Sequence, residues 1–448
     1  MDHGPVIVAT RRGTGNCAAT GGRRGPAHVP AAAFRGRARP ADALRWTVPA
    51  APTGARRMTA PPAPPQRARD RGLPFPGTPG PRNAIIDVPG LAVGTWQRID
   101  APDPAEPVAL VPGRGPVRTG VTAIVPHADR DGPFEVRAAI HALNGNGEMT
   151  GSHWIDHHGA FLGPVLITNT HAVGACHEAA VRWMVGRWPS VFVDDHGWAM
   201  PVVAETYDGF TNDIVGLHVR PEHGLAAIDA ALAAHAADAR AVAEGREPAP
   251  VPEGNVGGGA GMQSFGLKGG SGTASRRVGG HMLGAWVQSN FGERDQLTIL
   301  GERIGPLLEA PDPFAGTVPS ETGSIIVVLA TDAPLSGLQL RRLAQRGVLG
   351  IGRLGGIGGN GSGDLVLALS VADPRPALGL SAPRPPVHAT RELDASRLDA
   401  VFTAAIEATE EAIVNALFAA RSLSTVKPRG TLHAIDAEAV AVRFARRG

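Results

Sequence analysis

Ser324 stands behind Gly323 at the head of an apolar run, Ile325-Ile326-Val327-Val328-Leu329-Ala330, which closes on Thr331-Asp332-Ala333-Pro334. A small hydroxyl behind a glycine is where a nucleophile is held when backbone, rather than bulk, must approach it closely. The same residues also read as a glycine turn entering a core strand, with Ser324 as its polar first residue. Ser362 and Asp364 follow in Asn360-Gly361-Ser362-Gly363-Asp364. A serine needs a base before it attacks a carbonyl. If Ser324 became a chain terminus, its own α-amine, with a pKa of about 7.7–8.0, would supply one. Ser362 reads either as a hydroxyl that hydrogen-bonds Ser324 and relays a proton or as an ordinary turn serine.

Other chemistries fit less well. No G-x-S-x-G elbow is present, which argues against an α/β-hydrolase triad. Gly350-Ile351-Gly352-Arg353-Leu354-Gly355 matches a dinucleotide fingerprint in letters. It follows a helical pattern instead of a strand, and no helix opens on it, so the required context fails. His153, Asp156, His157 and His158 form the most metal-like cluster, with imidazoles and a carboxylate of the kind that bind Zn²⁺. Only His153 and Asp156 share helical spacing, Gly159 cuts that helix short, and H-E-x-x-H is absent. A polar loop is the preferred reading, with a metal-dependent hydrolase as the alternative function. Neither a metal nor an organic cofactor is expected.

The elements that must position Ser324 are mostly strands. Ala84–Val88, Leu91–Trp96, 108–111 and Gly120–Val125 are short apolar runs separated by Pro, Gly and Asp. Val136–Leu143 leads into the turn-rich Asn144-Gly145-Asn146-Gly147. Pro164–Thr170, Val191–Val193, Val202–Ala204, Thr273–Val278, Met282–Gln288, Leu297–Leu300, Ser324–Ala330 and Asp364–Val371 continue the β texture, and Thr431–Val442 gives a closing strand-like stretch. Helical periodicity predicts helices over Ala172–Val185, Leu225–Ala243, Leu338–Leu349 and Leu398–Ala420, the last with Val401, Ala405, Ala408, Ile413 and Leu417 on one stripe. Strands with a few long helices, and no strict alternation, argue an α+β fold.

Composition bounds the rest. With 43% hydrophobic residues a large core can be buried, while Gly 59 and Pro 40 imply much turn and loop. The net charge of +2 hides a basic start: residues 1–57 carry ten arginines against Asp2 and Asp42. The remainder is therefore net acidic, and no nucleic-acid partner is expected. Cys17 and Cys176 make no disulfide framework, which suits a reducing compartment. No apolar run approaches a membrane span and no secretory signal pattern opens the chain, so a cytoplasmic protein without a membrane partner is expected. Residues 1–66, rich in Arg, Pro, Ala and Gly, read as a disordered extension, with translation beginning at Met58 the favoured account. Residues 67–448 read as a single catalytic domain.

Six stretches in order carry a resemblance: 67–75 (Arg-Ala-Arg-Asp-Arg-Gly-Leu-Pro-Phe), Gly77-Thr78-Pro79-Gly80, Asn144-Gly145-Asn146-Gly147-Glu148-Met149-Thr150-Gly151, Ala204-Glu205-Thr206-Tyr207-Asp208-Gly209, Gly254-Asn255-Val256-Gly257-Gly258-Gly259 and the Ser362 turn. Together with the Ser324 segment, they resemble the self-processing serine aminopeptidases that include L-aminopeptidase/D-amino-acid esterase and the β-peptidyl aminopeptidases. The resemblance implies a four-layer αββα sandwich, similar in plan to N-terminal-nucleophile hydrolases, and cleavage between Gly323 and Ser324. It implies a peptide, amide or ester substrate with a free amine, an acyl-enzyme on Ser324, and a homotetramer of processed heterodimers. By the same resemblance Tyr207 and Asn290 stabilise the oxyanion, Glu205 and Asp364 bind the substrate ammonium, and Ser362 assists Ser324. A phenol and an amide are neutral donors suited to developing negative charge. The nearest rival on this architecture is an ornithine acetyltransferase-like enzyme, which uses threonine where this chain has Ser324. A non-enzymatic glycine-rich scaffold is the rival of another class.

Overall fold

The structure is a computed structural model and describes residues 67–103, 108–316 and 323–445. The chain divides into two units, Met1–Pro61 and Pro62–Gly448, and the described residues all belong to the second. The expectations for residues 1–66, the start at Met58 included, lie outside the described residues.

Two sheets stack face to face. The first has four strands, β1 (Ala92–Ile99), β2 (Arg118–Val125), β5 (Val165–Asn169) and β6 (Val202–Thr206), in that order. The second has six, ordered β4 (Ala160–Leu162), β3 (Phe134–Ala142), β10 (Leu365–Pro376), β9 (Ser324–Thr331), β8 (His281–Asn290) and β7 (Gly270–Val278). β9 runs antiparallel to β8 and parallel to β10. Parallel neighbours need a crossover, and helix α5 (Gly337–Arg353) supplies it, opened by a capping box between Ser336 and Gln339.

The unbroken apolar run of β9 reflects burial on both faces. Ile325, Val327 and Leu329 enter one core, with α5 and α6 (Leu398–Ala419). Ile326, Val328 and Ala330 enter another, between the two sheets. A third core lies between the four-stranded sheet and helices α2 (Val173–Arg187) and α4 (Pro221–Ala243). Helices, sheet, sheet and helices thus form four layers, an αββα sandwich of the α+β class. Each fully buried aliphatic side chain in these layers contributes about 1.5–3 kcal/mol.

Helix α6 departs from the expected single stripe, because after its partly exposed first turn it is buried on nearly every side, Glu410 and Glu411 included. Its carboxylates meet arginines from far upstream. Glu411 accepts from Arg69 Nε at 2.9 Å and pairs with Arg276 Nη2 at 2.8 Å. Glu407 pairs with Arg276 Nε at 3.2 Å, and Glu410 with Arg353 Nη1 at 3.0 Å.

Four expected strands differ. Ala84–Val88 contains a 3₁₀ turn, Ile85–Asp87, held where the Asp87 carboxylate accepts the Arg82 and Ala84 N–H groups. Residues 108–111 form no strand; Val111 makes an isolated bridge to Gly115. Val191 and Phe192 end a short helix, α3 (Pro189–Phe192), and Val193 caps it, because Pro189 at its first turn presets the helical φ. The closing stretch Thr431–Val442 holds only the strand Arg429–Leu432 before turning into helix α7 (Ala437–Ala445). Among the described residues no helix is long and apolar enough to cross a membrane.

Candidate active site

The register of the six-stranded sheet builds the site. Asn290, last in β8, lies directly opposite Ser324, first in β9. The parallel partner β10 begins one residue after Asp364, with Leu365 beside Ile326. Three strand ends therefore bring Asn290, Ser324 and the turn 360–364 together. Gly323 fits only as glycine: a Cβ there would stand 2.1 Å from the Asn290 carbonyl oxygen.

Ser324 is 7% exposed. Its Oγ accepts a hydrogen bond from the Gly363 N–H at 3.0 Å. Ser362 was the residue expected to make that contact; its hydroxyl instead donates to Asp364 Oδ2 at 2.9 Å, with the Gly359 carbonyl also at 2.9 Å. The Ser362 oxygen also accepts from Asn144 Nδ2 at 3.0 Å. Asn144 further donates to the carbonyls of Gly358 and Gly359, so the loop after β3 is laced to the Ser362 turn.

Glu205, in β6 on the other sheet, is buried. Its Oε1 accepts the Glu148 N–H at 2.9 Å and its Oε2 accepts the Thr170 hydroxyl. Burial raises its carboxyl above the usual range, and those two donors oppose the shift. Gly147 lies between: a Cβ on it would stand 3.4 Å from Glu205 Oε1 and 3.2 Å from Gly363 Cα. Glu205 and the Ser362–Asp364 turn thus face each other across one glycine.

Tyr207 is 37% exposed, and partial burial, then the Asp208 charge, raises its phenol above the usual value. The Asn290 amide is fixed at both ends: Oδ1 accepts the Gln263 N–H at 2.9 Å, and Nδ2 donates to the Tyr207 carbonyl at 3.2 Å. An amide carries two N–H donors, and one remains for another acceptor. The Tyr207 ring lies over Gly209, where a Cβ would come within 2.3 Å of the phenol oxygen. Gly209→Ala is therefore expected to spare the fold, since only a side-chain tip must move, yet displace the phenol. We expect kcat to fall about tenfold to a hundredfold with Tm unchanged. Parental kinetics in this variant would show that the phenol position is immaterial.

The metal-like cluster disperses. In helix α1 (Ser152–His158), Asp156 pairs with Arg341 at 2.9 Å, while His158 stacks on Trp154 and lies 3.4 Å from Glu135. Among the described residues no three His, Cys, Asp or Glu side chains stand where they could hold a metal ion. His153, Asp156 and His157 form no centre for a metal-dependent hydrolase.

The sequence model of peptidase family S58 matches residues 83–430. The chain belongs to peptidase family S58. The β-peptidyl aminopeptidase BapA of Sphingosinicella microcystinivorans is 43% identical to this S58 peptidase over 377 residues, 80% of this chain and 87% of that protein. The enzyme of the same name from Sphingosinicella xenopeptidilytica is 40% identical over 400 residues, 85% and 92% of the two chains. Among solved structures, the L-aminopeptidase D-Ala-esterase/amidase of Ochrobactrum anthropi, described as a prototype serine aminopeptidase and a variant of the Ntn hydrolase fold, superposes with a TM-score of 0.74 at 45% identity. It covers 85% of this chain and 99% of its own. A Burkholderia sp. β-aminopeptidase gives 0.72 at 38% identity, over 85% and 98%. This S58 peptidase therefore has the Ntn-hydrolase-type sandwich, and the match favours a peptidase over the acetyltransferase-like alternative.

Residue reading alone missed several parts of this site: the Gly363 N–H, Asn144, Thr170 and Gly209. Asn144 and Gly209 lie inside stretches that the resemblance marks. A backbone N–H leaves no side-chain signal.

Proposed function

We propose that this S58 peptidase is a self-cleaving serine aminopeptidase, acting on short peptides, amides or esters with a free amine through an acyl-enzyme on Ser324. The observation that carries the reading is the buried Ser324 hydroxyl at a strand head, opposite Asn290 and bonded by the Gly363 N–H. The relatives named as β-peptidyl aminopeptidases and as an aminopeptidase, esterase and amidase support the bond type and the free amine.

In maturation Ser324 Oγ attacks the Gly323 carbonyl carbon. The Gly323–Ser324 C–N bond breaks, the nitrogen takes the hydroxyl proton and becomes an α-amine, and Gly323 is left as an ester on Oγ. Water hydrolyses that ester to a Gly323 carboxylate and frees the hydroxyl. In turnover the α-amine accepts the Oγ proton as Oγ attacks the substrate carbonyl and returns it to the leaving amine. Water then releases the acyl group. Asn290 and Tyr207 donate to the oxyanion, Ser362 assists Ser324 from the turn whose Gly363 N–H bonds the nucleophile, and no metal or organic cofactor enters these steps. Glu205 and Asp364 receive the substrate ammonium, a group that an internal amide nitrogen lacks. The buried free thiol of Cys176, pushed up to about 12 by burial, suits a reducing cytoplasm. The working assembly in this reading is a homotetramer of processed heterodimers.

Glu205→Gln tests the amine site. Loss of a buried charge-assisted hydrogen bond should lower kcat/KM for free-amine substrates roughly tenfold to a hundredfold while self-cleavage continues. An N-acetylated substrate should be poor with the parent enzyme. Equal hydrolysis of acetylated and free substrates by the parent would remove Glu205 and Asp364 from this role.

A further inference from the structure

Behind the Tyr207–Asn290 pair lies a buried cation that the proposed chemistry does not use. Lys268 and Lys427 are the lysines of the chain, and its other permanent side-chain cations are arginines. Lys268 is fully buried, at the end of the small ribbon Gln263–Ser264 and Leu267–Lys268. Its Nζ donates to the Gly259 carbonyl at 3.2 Å and the Gly269 carbonyl at 2.8 Å. The charge that attracts it is Asp208, also fully buried and next in sequence to Tyr207. Asn212 Nδ2 donates to Asp208 Oδ1 at 2.9 Å. Burial pushes the ammonium down to about 7 against the pull of Asp208, and pushes the Asp208 carboxyl up to about 7.

The loop that Lys268 pins is the loop that orients Asn290. The Gly269 N–H donates to the Met262 carbonyl at 2.9 Å. The next residue, Gln263, gives its N–H to Asn290 Oδ1 at 2.9 Å and so turns the amide nitrogen toward Tyr207. On the other side, the Thr211 hydroxyl donates to the Gly261 carbonyl at 2.7 Å, while the Thr211 N–H donates to the Asp208 carbonyl at 3.0 Å. Both donors thus hang from one glycine-rich loop and the turn beside it. An unbranched stem with a compact ammonium reaches two carbonyls in this space, where a planar guanidinium would need a wider fork of acceptors.

We propose that Lys268, through its bonds to the Gly259 and Gly269 carbonyls, is a positioning residue for the Asn290 and Tyr207 donors, acting through the loop 257–269. This rests on the reading of Asn290 and Tyr207 as oxyanion donors. Lys268→Met alone strands a buried carboxylate and endangers the fold. The informative protein is therefore the full-length D208N/K268M double variant, assayed on an aminoacyl p-nitroanilide with rates expressed per cleaved chain. Its Tm should stay within a few degrees of the parent. Its kcat should fall about tenfold to a hundredfold with KM within about twofold, the signature of misaimed transition-state donors. Made in an N290A background, the same pair should cost clearly less in kcat than it does in the parent, because one of the two donors it aims is already gone. A D208N/K268Q variant, which keeps a polar group for the two carbonyls, gives the same reading where the methionine pair does not fold. A kcat within about twofold of the parent, or a loss fully multiplicative with N290A, would overturn the proposal while leaving the oxyanion reading intact. Parental kcat in both Y207F and N290A would remove the oxyanion reading itself, and this inference with it.

Discussion

Ser324→Ala should leave the protein as one unbroken chain and lower turnover by a factor on the order of 10⁶, the scale on which removal of a serine nucleophile acts. Both effects come from one oxygen. In the proposed mechanism the Ser324 hydroxyl attacks Gly323 once in maturation and a substrate carbonyl in every later cycle. Denaturing electrophoresis should resolve the parent into two bands, the smaller running from Ser324 to Gly448, and N-terminal sequencing of that band should begin Ser-Ile-Ile-Val. The alanine variant should show one band. Ser324→Cys should still cleave, since a thiol performs the same acyl shift, although its turnover need not follow. A parent that remains one intact chain while fully active would refute the mechanism.

Glu411→Ala should be the most damaging single change away from the site. Glu411 is fully buried and holds Arg276, itself only 1% exposed, together with Arg69 and the Asn83 side-chain amide. Deleting Glu411 leaves the buried Arg276 with Glu407 alone, at 3.2 Å, and Arg69 without its carboxylate, and breaking a buried pair of this kind costs about 3–5 kcal/mol. Urea unfolding should be followed in a Ser324→Ala background, where the chain stays whole, with all variants at one protein concentration. The midpoint should drop sharply in E411A and scarcely move in E244A, because the Glu244–Arg246 pair is solvent-exposed. Equal midpoints for the two variants would mean that the α6 carboxylates do not hold the layers together.

Much of this architecture was legible in the residues. The β9 run is apolar on both faces because it lies between two cores, and that forces a central strand. Helices α2, α4 and α5 announce themselves by period. Helix α6 was legible as a helix but not as one buried on nearly every side. Its apolar stripe carried no sign of the arginines, Arg69, Arg276 and Arg353, that arrive from other elements to pair its glutamates. Val191–Val193 shows the opposite failure, since β-branched residues suggested a strand and Pro189 settled a helical turn. At the site, the resemblance supplied Ser324, Asn290, Tyr207 and Glu205 as candidates, and the fold sets Asn290 opposite Ser324. The hydrogen bond on Ser324 Oγ was not legible, because it comes from the backbone of Gly363 rather than from Ser362.

The place of β9 in its sheet has a consequence for how the finished molecule unfolds. Its neighbours come from opposite sides of the Gly323–Ser324 junction, β8 before it and β10 after it. If that bond is cut as proposed, the sheet is shared by two polypeptides, and its loss frees them from each other. Refolding then becomes a second-order encounter, slowed by dilution, and the melting temperature acquires a dependence on protein concentration that the uncut chain lacks. Under the proposed cleavage, the junction separates a precursor that folds as one chain from a product that keeps its fold by never letting go.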